Sequence, residues 1–341
     1  MRRLKRLAAA LILLAAPVQA RDVVDMSGRT VTVPERITRV YGAFTSSVAI
    51  MAAMAPERLV GTYAAHTPQL DRFLPPVMAG LPLMEANAVQ TMDLEKVLGA
   101  RIDMALSLSN PGLPDQVRDS LALIGKPAVA VNVERLEQYP ATFRFLGHLL
   151  DLQERGESLA RYIEEAQRRM AAAIAVIPQA ERPRLFYAES PDGLQSQCDS
   201  AFRAEAIALA GAVNVLHCPS GPGQLSAVRT VTPEVLLSLK PEVILVRFPQ
   251  TGEMFLSDPR WATLPAVRDR RVHLIPSLPF NWIDRPPSYM RVMGMQWLAQ
   301  RLHPQRAIVD IEAETRLFFA LFFGLALDDA DLADLLGGNG E

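Results

Sequence analysis

The sequence is poor in the groups that do chemistry. Its 341 residues include two cysteines and five histidines, and aromatics make up 6%. Two cysteines alone do not complete a zinc site. His148, His217, His273 and His303 are scattered, and no three histidines show metal-ligand spacing. G-x-S-x-G, H-E-x-x-H and a phosphate loop are absent, so an exported hydrolase, the alternative from another class, has no motif to build a mechanism on. Charge of one sign is also lacking, with 35 basic against 37 acidic residues, which makes nucleic acid a poor partner.

What is present begins with a leader. Arg2, Arg3, Lys5 and Arg6 precede an apolar run from Leu7 to Ala16, and Val18 and Ala20 are the small residues before a cut. That order is a secretory signal at 1–20, too short in its apolar part to span a bilayer. No cysteine follows the run, so nothing is there to lipidate, and the expected product is soluble in the periplasm. Loss of the leader leaves 31 basic against 37 acidic residues, a formal charge of −6. In an oxidising compartment Cys198 and Cys218 are expected as a disulfide, with two buried free thiols as the alternative. Closing a loop of about 20 residues contributes about 3 kcal/mol in the chain-entropy account.

The length suits about two domains. After a hairpin around Ser27-Gly28, short apolar strands alternate with amphipathic helices, a pattern that resumes at "RPRLFYAES". This predicts an α/β fold with parallel sheets covered on both faces. Between the halves, Leu159, Tyr162, Ile163, Ala166, Met170, Ile174 and Ile177 recur every three or four residues, so one helix of about 30 Å is expected to join two lobes with a cleft between them. The expected division is a first lobe at 21–150, the linking helix at 151–180, a second lobe at 181–304 and a helical tail at 305–341. The tail's "LFFALFFGLAL" is about half a membrane span and is expected to pack on the second lobe.

These residues resemble a family: the periplasmic binding proteins of ABC importers for ferric siderophores, vitamin B12 and related metal complexes. "DMSGRTVTVPERITRVY" looks like its opening, "MDLEKVLGARIDMALS" and "TVTPEVLLSLKPEVILV" like corresponding elements of its two lobes, "AEAIALAGAVNV" like its A-G-G-x-N stretch with Ala212 in place of the second glycine, and "NWIDRPPS" like its W-F-x-R-x-S loop. The resemblance implies a protein that binds and delivers without catalysing, two α/β lobes joined by one long helix, and an inner-membrane permease with a cytoplasmic ATPase as partner. It also implies that Glu95 and Glu234, in corresponding short helices, dock onto permease arginines.

In parallel α/β sheets ligands gather where strands end. The loops expected there supply Phe44, Tyr63, His66, Tyr187, Arg247, Phe280, Asn281, Trp282 and Arg285, and a helix start supplies Arg203. The proline-rich "PFNWIDRPPS" is stiff, which lowers the entropy lost on binding, and Pro286 and Pro287 are expected to start the last long helix. A ferric siderophore is the first expectation for the ligand, with cobalamin or an oxyanion such as molybdate as alternatives. The protein itself is expected to be a monomer without a cofactor, the metal being part of the ligand and His66 the one possible direct metal ligand.

Overall fold

The computed structural model describes residues 19–84, 92–109, 116–218 and 228–337. Most of the leader therefore lies outside the described residues, as does part of the "SLSNPG" loop. A hairpin opens the described chain, β1 (Ala20–Val24) pairing antiparallel with β2 (Thr30–Pro34). Asp25 closes its turn by accepting from the backbone of Ser27 and Arg29, and Gly28 takes the φ of 83° that the reversal demands.

The first lobe is built on a parallel sheet, β3 (Val40–Gly42), β4 (Met104–Leu108) and β5 (Ala128–Val131), in that order. Packed around it are α1 (Thr45–Met54), α2 (Pro68–Asp71), α3 (Leu94–Gly99) and α4 (Gln116–Ala122). The stretch "RLVGTYA", expected as a strand, makes only isolated bridges, Val40 to Leu59 and Thr62 to Leu83. Two further helices, α5 (Tyr139–Leu149) and α6 (Gln153–Ala175), lead out of the lobe.

The second lobe repeats the plan. Its parallel sheet contains β6 (Arg184–Ala188), β8 (Val213–Asn214), β10 (Val243–Val246) and β11 (Val272–Leu274), in the order β11-β10-β6-β8. A ribbon of β7 (Gln195–Gln197) and β9 (Val228–Thr230) lies beside it, with α7 (Glu205–Leu209), α8 (Pro233–Leu239), α9 (Pro249–Ser257) and α10 (Pro265–Arg268). The expected disulfide joins Cys198 to Cys218.

The linking helix is α6, which lies within the expected 151–180. Its 23 residues make about 35 Å of helix. The predicted stripe is buried from Leu159 to Ile174, and Ile177, past the helix end, is buried as well. Gly156 is required by contact: a Cβ there would sit 2.4 Å from the Phe143 carbonyl oxygen, so α5 and α6 touch backbone to backbone. Arg144 then bridges to Glu157 at 2.6 Å and Glu164 at 2.5 Å, fastening the same pair of helices.

The chain ends in α11 (Arg291–Leu302), α12 (Ile311–Phe323) and α13 (Asp329–Leu336). Here the structure departs from two expectations. Pro286 and Pro287 precede α11 by a full turn at Ser288–Met290, because Arg291 is the first residue with the helical pattern. The apolar tail does not pack on the second lobe alone, since α12 contacts both α1 and α11. Phe318, Phe319 and Phe322 are each 0% exposed, and apolar groups facing several directions need cover from more than one side. Tyr289 stacks on Phe322 at 5.0 Å and Phe73 of the first lobe meets Phe319 edge-on at 6.1 Å. Arg72 of the first lobe reaches Asp331 and, at 2.7 Å, Asp334 of α13. One apolar core thus runs through first lobe, strut, second lobe and tail, with a smaller cluster in each lobe. No described helix is long and apolar enough to cross a membrane.

Candidate ligand cleft and docking helices

The second lobe concentrates its charge where β6 and β10 end. Glu189, the residue after β6, is 4% exposed and accepts from Arg285 Nη2 at 2.6 Å, while its other oxygen takes a short hydrogen bond from Gln197 on β7. Asp284 is 0% exposed; its Oδ1 accepts from the Tyr187 hydroxyl at 2.7 Å, and its Oδ2 lies 3.5 Å from Arg285 Nε without a hydrogen-bond partner. Burial pushes the Asp284 carboxyl up, and the charge of Glu189 adds to the push against the Tyr187 bond and Arg285. Burial works against charge on Arg285 too, yet Glu189 and Asp284 hold that guanidinium above its ordinary value.

Arg203 joins this group from the short turn Phe202–Ala204 that precedes α7. Burial, and then repulsion from Arg285, lower its guanidinium below the ordinary value, and its Nε is buried without a hydrogen-bond partner. Arg247, directly after β10, is half-buried over the Phe248 ring at 5.0 Å and has no carboxylate within ion-pair distance among the described residues. Its charge is felt by the Tyr187 phenol, the same group that Asp284 holds. Arg285 and Arg203 therefore both act on the buried carboxyls of Glu189 and Asp284, while Arg247 acts on the phenol that Asp284 holds.

The first lobe offers different chemistry. Phe44, at the start of α1, is half-buried; the Ser47 hydroxyl accepts from its N–H at 3.0 Å and donates to its carbonyl at 2.7 Å, fixing the turn. Tyr63 is half-buried, its ring 6.3 Å from Phe280 of the second lobe, and burial pushes its phenol up. His66 Nδ1 is 2.5 Å from Asp71 Oδ1, and its Nε2 is buried without a partner. Among the described residues no three His, Cys, Asp or Glu side chains gather as a metal site.

Several residues expected in the cleft are closed off from it. Trp282 is 0% exposed, donates Nε1–H to the Leu278 carbonyl at 3.0 Å, and lies against α11 so closely that a Cβ on Gly294 would overlap its carbonyl. Its ring is part of the core, not a stacking platform. Tyr187 is fully buried and acts through Asp284, Phe280 is 4% exposed between Tyr63 and Phe323, and Asn281 is spent on its own loop, accepting from Ile283 N and Asp284 N. Such a loop needs its largest ring inside to be rigid, which periodicity cannot reveal in an irregular segment.

Two other residues escaped the sequence reading. Glu134, after β5, is half-buried; burial pushes its carboxyl up, against the pull of Arg135, Arg203 and Arg291. Arg291 is 0% exposed and ties the lobes together, donating to Ser288 O, Phe202 O and Val133 O and pairing with Glu205. The signal for it was an arginine inside an otherwise apolar helix face, which in a buried helix calls for several acceptors.

In the short helices before β4 and β10 the two lobes correspond in plan. Asp93 caps α3 by accepting from Lys96 N, and Thr232 caps α8 by accepting from Val235 N. Glu95 and Glu234 then fall in the first turn of each helix, both exposed. The Thr232 hydroxyl, and then a backbone N–H, hold the Glu234 carboxyl below its ordinary value. Arg39 donates to the Ala100 carbonyl at 2.9 Å and Arg184 to the Leu239 carbonyl at 2.8 Å, satisfying the same end of each helix.

The fold is shared with known proteins. The family described as "Periplasmic binding protein" matches residues 43–278. An ABC transporter solute binding protein from Sulfurospirillum deleyianum superposes with a TM-score of 0.84, at 33% identity over 93% of this chain and 99% of that one. The chain belongs to the periplasmic binding protein family. Members of it are solute carriers of ABC transporters, not enzymes. This binding protein is also 22% identical over 331 residues to the molybdate-binding protein MolA of Haemophilus influenzae, covering 89% of this chain and 91% of that one. The molybdate-bound structure of MolA superposes with a TM-score of 0.74 at 19% identity, over 90% of this chain and 99% of that one.

Proposed function

We propose that this binding protein captures a compact oxyanion of the molybdate class in the cleft and presents it to an ABC permease. The observation that carries the reading is the pair of guanidinium groups of Arg203 and Arg285, the first lowered by the second and its Nε left without a hydrogen-bond partner, with Arg247 following β10. Placing like charges together in a half-buried setting is unfavourable until an anion lies between them, and charge-assisted N–H bonds to oxygen are the strong ones. A relative named for molybdate supports the same class. Cobalamin would have leaned on Trp282 by stacking, and that ring is buried. Tyr63, Phe44 and His66 then close the first-lobe side of the ligand.

Delivery is assigned to Glu95 and Glu234 as docking points, one per lobe, giving a charge-steered contact. Export by the leader places this action in the periplasm, and cleavage after Ala20 would leave β1 intact from its second residue.

The test is a ligand panel on purified protein, followed by thermal unfolding and tryptophan fluorescence, with molybdate, tungstate, sulfate, phosphate, a ferric siderophore and cobalamin. Molybdate or tungstate at about 100 times its Kd should stabilise the fold by about 2.7 kcal/mol. Stabilisation by the siderophore or cobalamin, with no response to any oxyanion, would overturn the reading.

A further inference from the structure

The repeat between the lobes extends past the docking glutamates. Six residues beyond Glu95 stands Arg101, and six beyond Glu234 stands Lys240. Both are exposed, and both take left-handed backbone, with φ of 49° and 45°. That position closes a helix and is the natural place for glycine, because a Cβ is disfavoured there. Each lobe instead keeps a long cationic side chain.

The helices do not need these charges. Arg39 and Arg184 already donate to one terminal carbonyl of each helix, and neither Arg101 nor Lys240 makes a side-chain hydrogen bond or ion pair among the described residues. Asp103 and Glu242, two residues further on, are likewise occupied: Asp103 accepts from Arg39 N at 2.9 Å and Glu242 from Arg184 N at 2.9 Å. What remains without an ion pair in each lobe, among the described residues, is an acid at one end of a short helix and a base at the other, about 9 Å apart along the axis. A strained backbone retained twice, in corresponding places, with no local use for its side chain, points to an outside partner.

We infer that docking is bipolar: at each of the two contact points the permease offers a cation to the glutamate and a carboxylate to Arg101 or Lys240. The pairing fixes the direction of each helix as well as its position, so this carrier cannot seat with its lobes tilted. The inference rests on the docking role proposed for Glu95 and Glu234.

The experiment uses the full-length mature protein with its cognate permease–ATPase complex in proteoliposomes, reading ATPase stimulation against carrier concentration. The double variant Arg101→Gly/Lys240→Gly should fold with unchanged or higher thermal stability and bind molybdate as before, yet require at least tenfold more carrier for half-maximal stimulation. Arg101→Asn/Lys240→Asn, which also tolerates left-handed backbone, should behave alike. Wild-type stimulation by both variants, while Glu95→Gln/Glu234→Gln fails to stimulate, would overturn the bipolar contact and leave the docking role standing. Wild-type stimulation by the glutamine variant too would remove the docking role itself. Binding to anionic vesicles without permease, weakened equally by the glycine variant, would assign these cations to lipid and overturn the inference.

Discussion

The two lobes are alike in the short helices before β4 and β10 and unlike in the loops that follow their strands. Of these helices, α3 and α8 share a capped start, an exposed glutamate, an arginine on one of the last carbonyls and a left-handed base. In the proposed cleft, the first lobe would offer Phe44, Tyr63 and His66, and the second Arg203, Arg247 and Arg285 beside buried Glu189 and Asp284. Repetition in one place and divergence in the other fit the two tasks proposed: a surface used twice would keep the same chemistry twice, and a cleft for one small charged ligand would divide the work, with charge on one wall and shape on the other.

The largest break in this comparison comes from joining the lobes less well. Arg291→Ala strips a fully buried guanidinium from Glu205 and from carbonyls of both lobes, and urea unfolding should report a loss of about 3–5 kcal/mol. A loss below 1 kcal/mol would mean that the lobes are held by apolar contacts alone. Next comes the charged wall. Arg203→Gln should weaken molybdate binding by about 2 kcal/mol or more, close to thirtyfold, without loss of thermal stability, because it removes a repulsion from the free protein. Tyr63→Phe on the opposite wall should cost less than tenfold. Equal effects at both walls in calorimetric titration would erase the asymmetry.

Acid should act on the second lobe through His273, whose imidazole is pushed down to about 4 by burial and by Arg301 and Arg271. Since the folded protein binds this proton less readily than the unfolded chain, the contribution is complete above the ordinary value of 6.5 and is lost as pH falls from there toward about 4. His273→Phe should therefore show a shallower decline of stability than wild type over that window. A parallel decline would place the acid sensitivity elsewhere. The smallest effects sharpen the repeat: Asp93→Ala and Thr232→Ala should each cost about 1 kcal/mol, and clearly unequal costs would mean that the two helices are capped differently in solution.

Regular segments were readable from the sequence and irregular ones were not. The stripe from Leu159 to Ile174 announced the strut because helical period and burial report the same face. The strand and helix alternation announced both sheets, and an isolated pair of cysteines in an exported chain was the ground for expecting the Cys198–Cys218 link. The loop from Pro279 to Ser288 defeated the reading because side-chain direction there follows no period: Trp282 turned inward while Arg285 stayed half out. The tail was misplaced for a related reason, since the apolar pattern of Phe318, Phe319 and Phe322 tells that cover is needed but not which helix gives it. Glu134 and Arg291 depend on contacts from distant segments, which no local pattern encodes.

The central claim is that the arginine wall holds an anion, and isothermal titration of molybdate into wild type and into Arg203→Gln/Arg285→Gln tests it most directly. The account predicts saturable one-to-one binding by wild type and at least a hundredfold weaker binding by a variant that remains folded. Equal affinity in both proteins, or no heat with wild type, would contradict it.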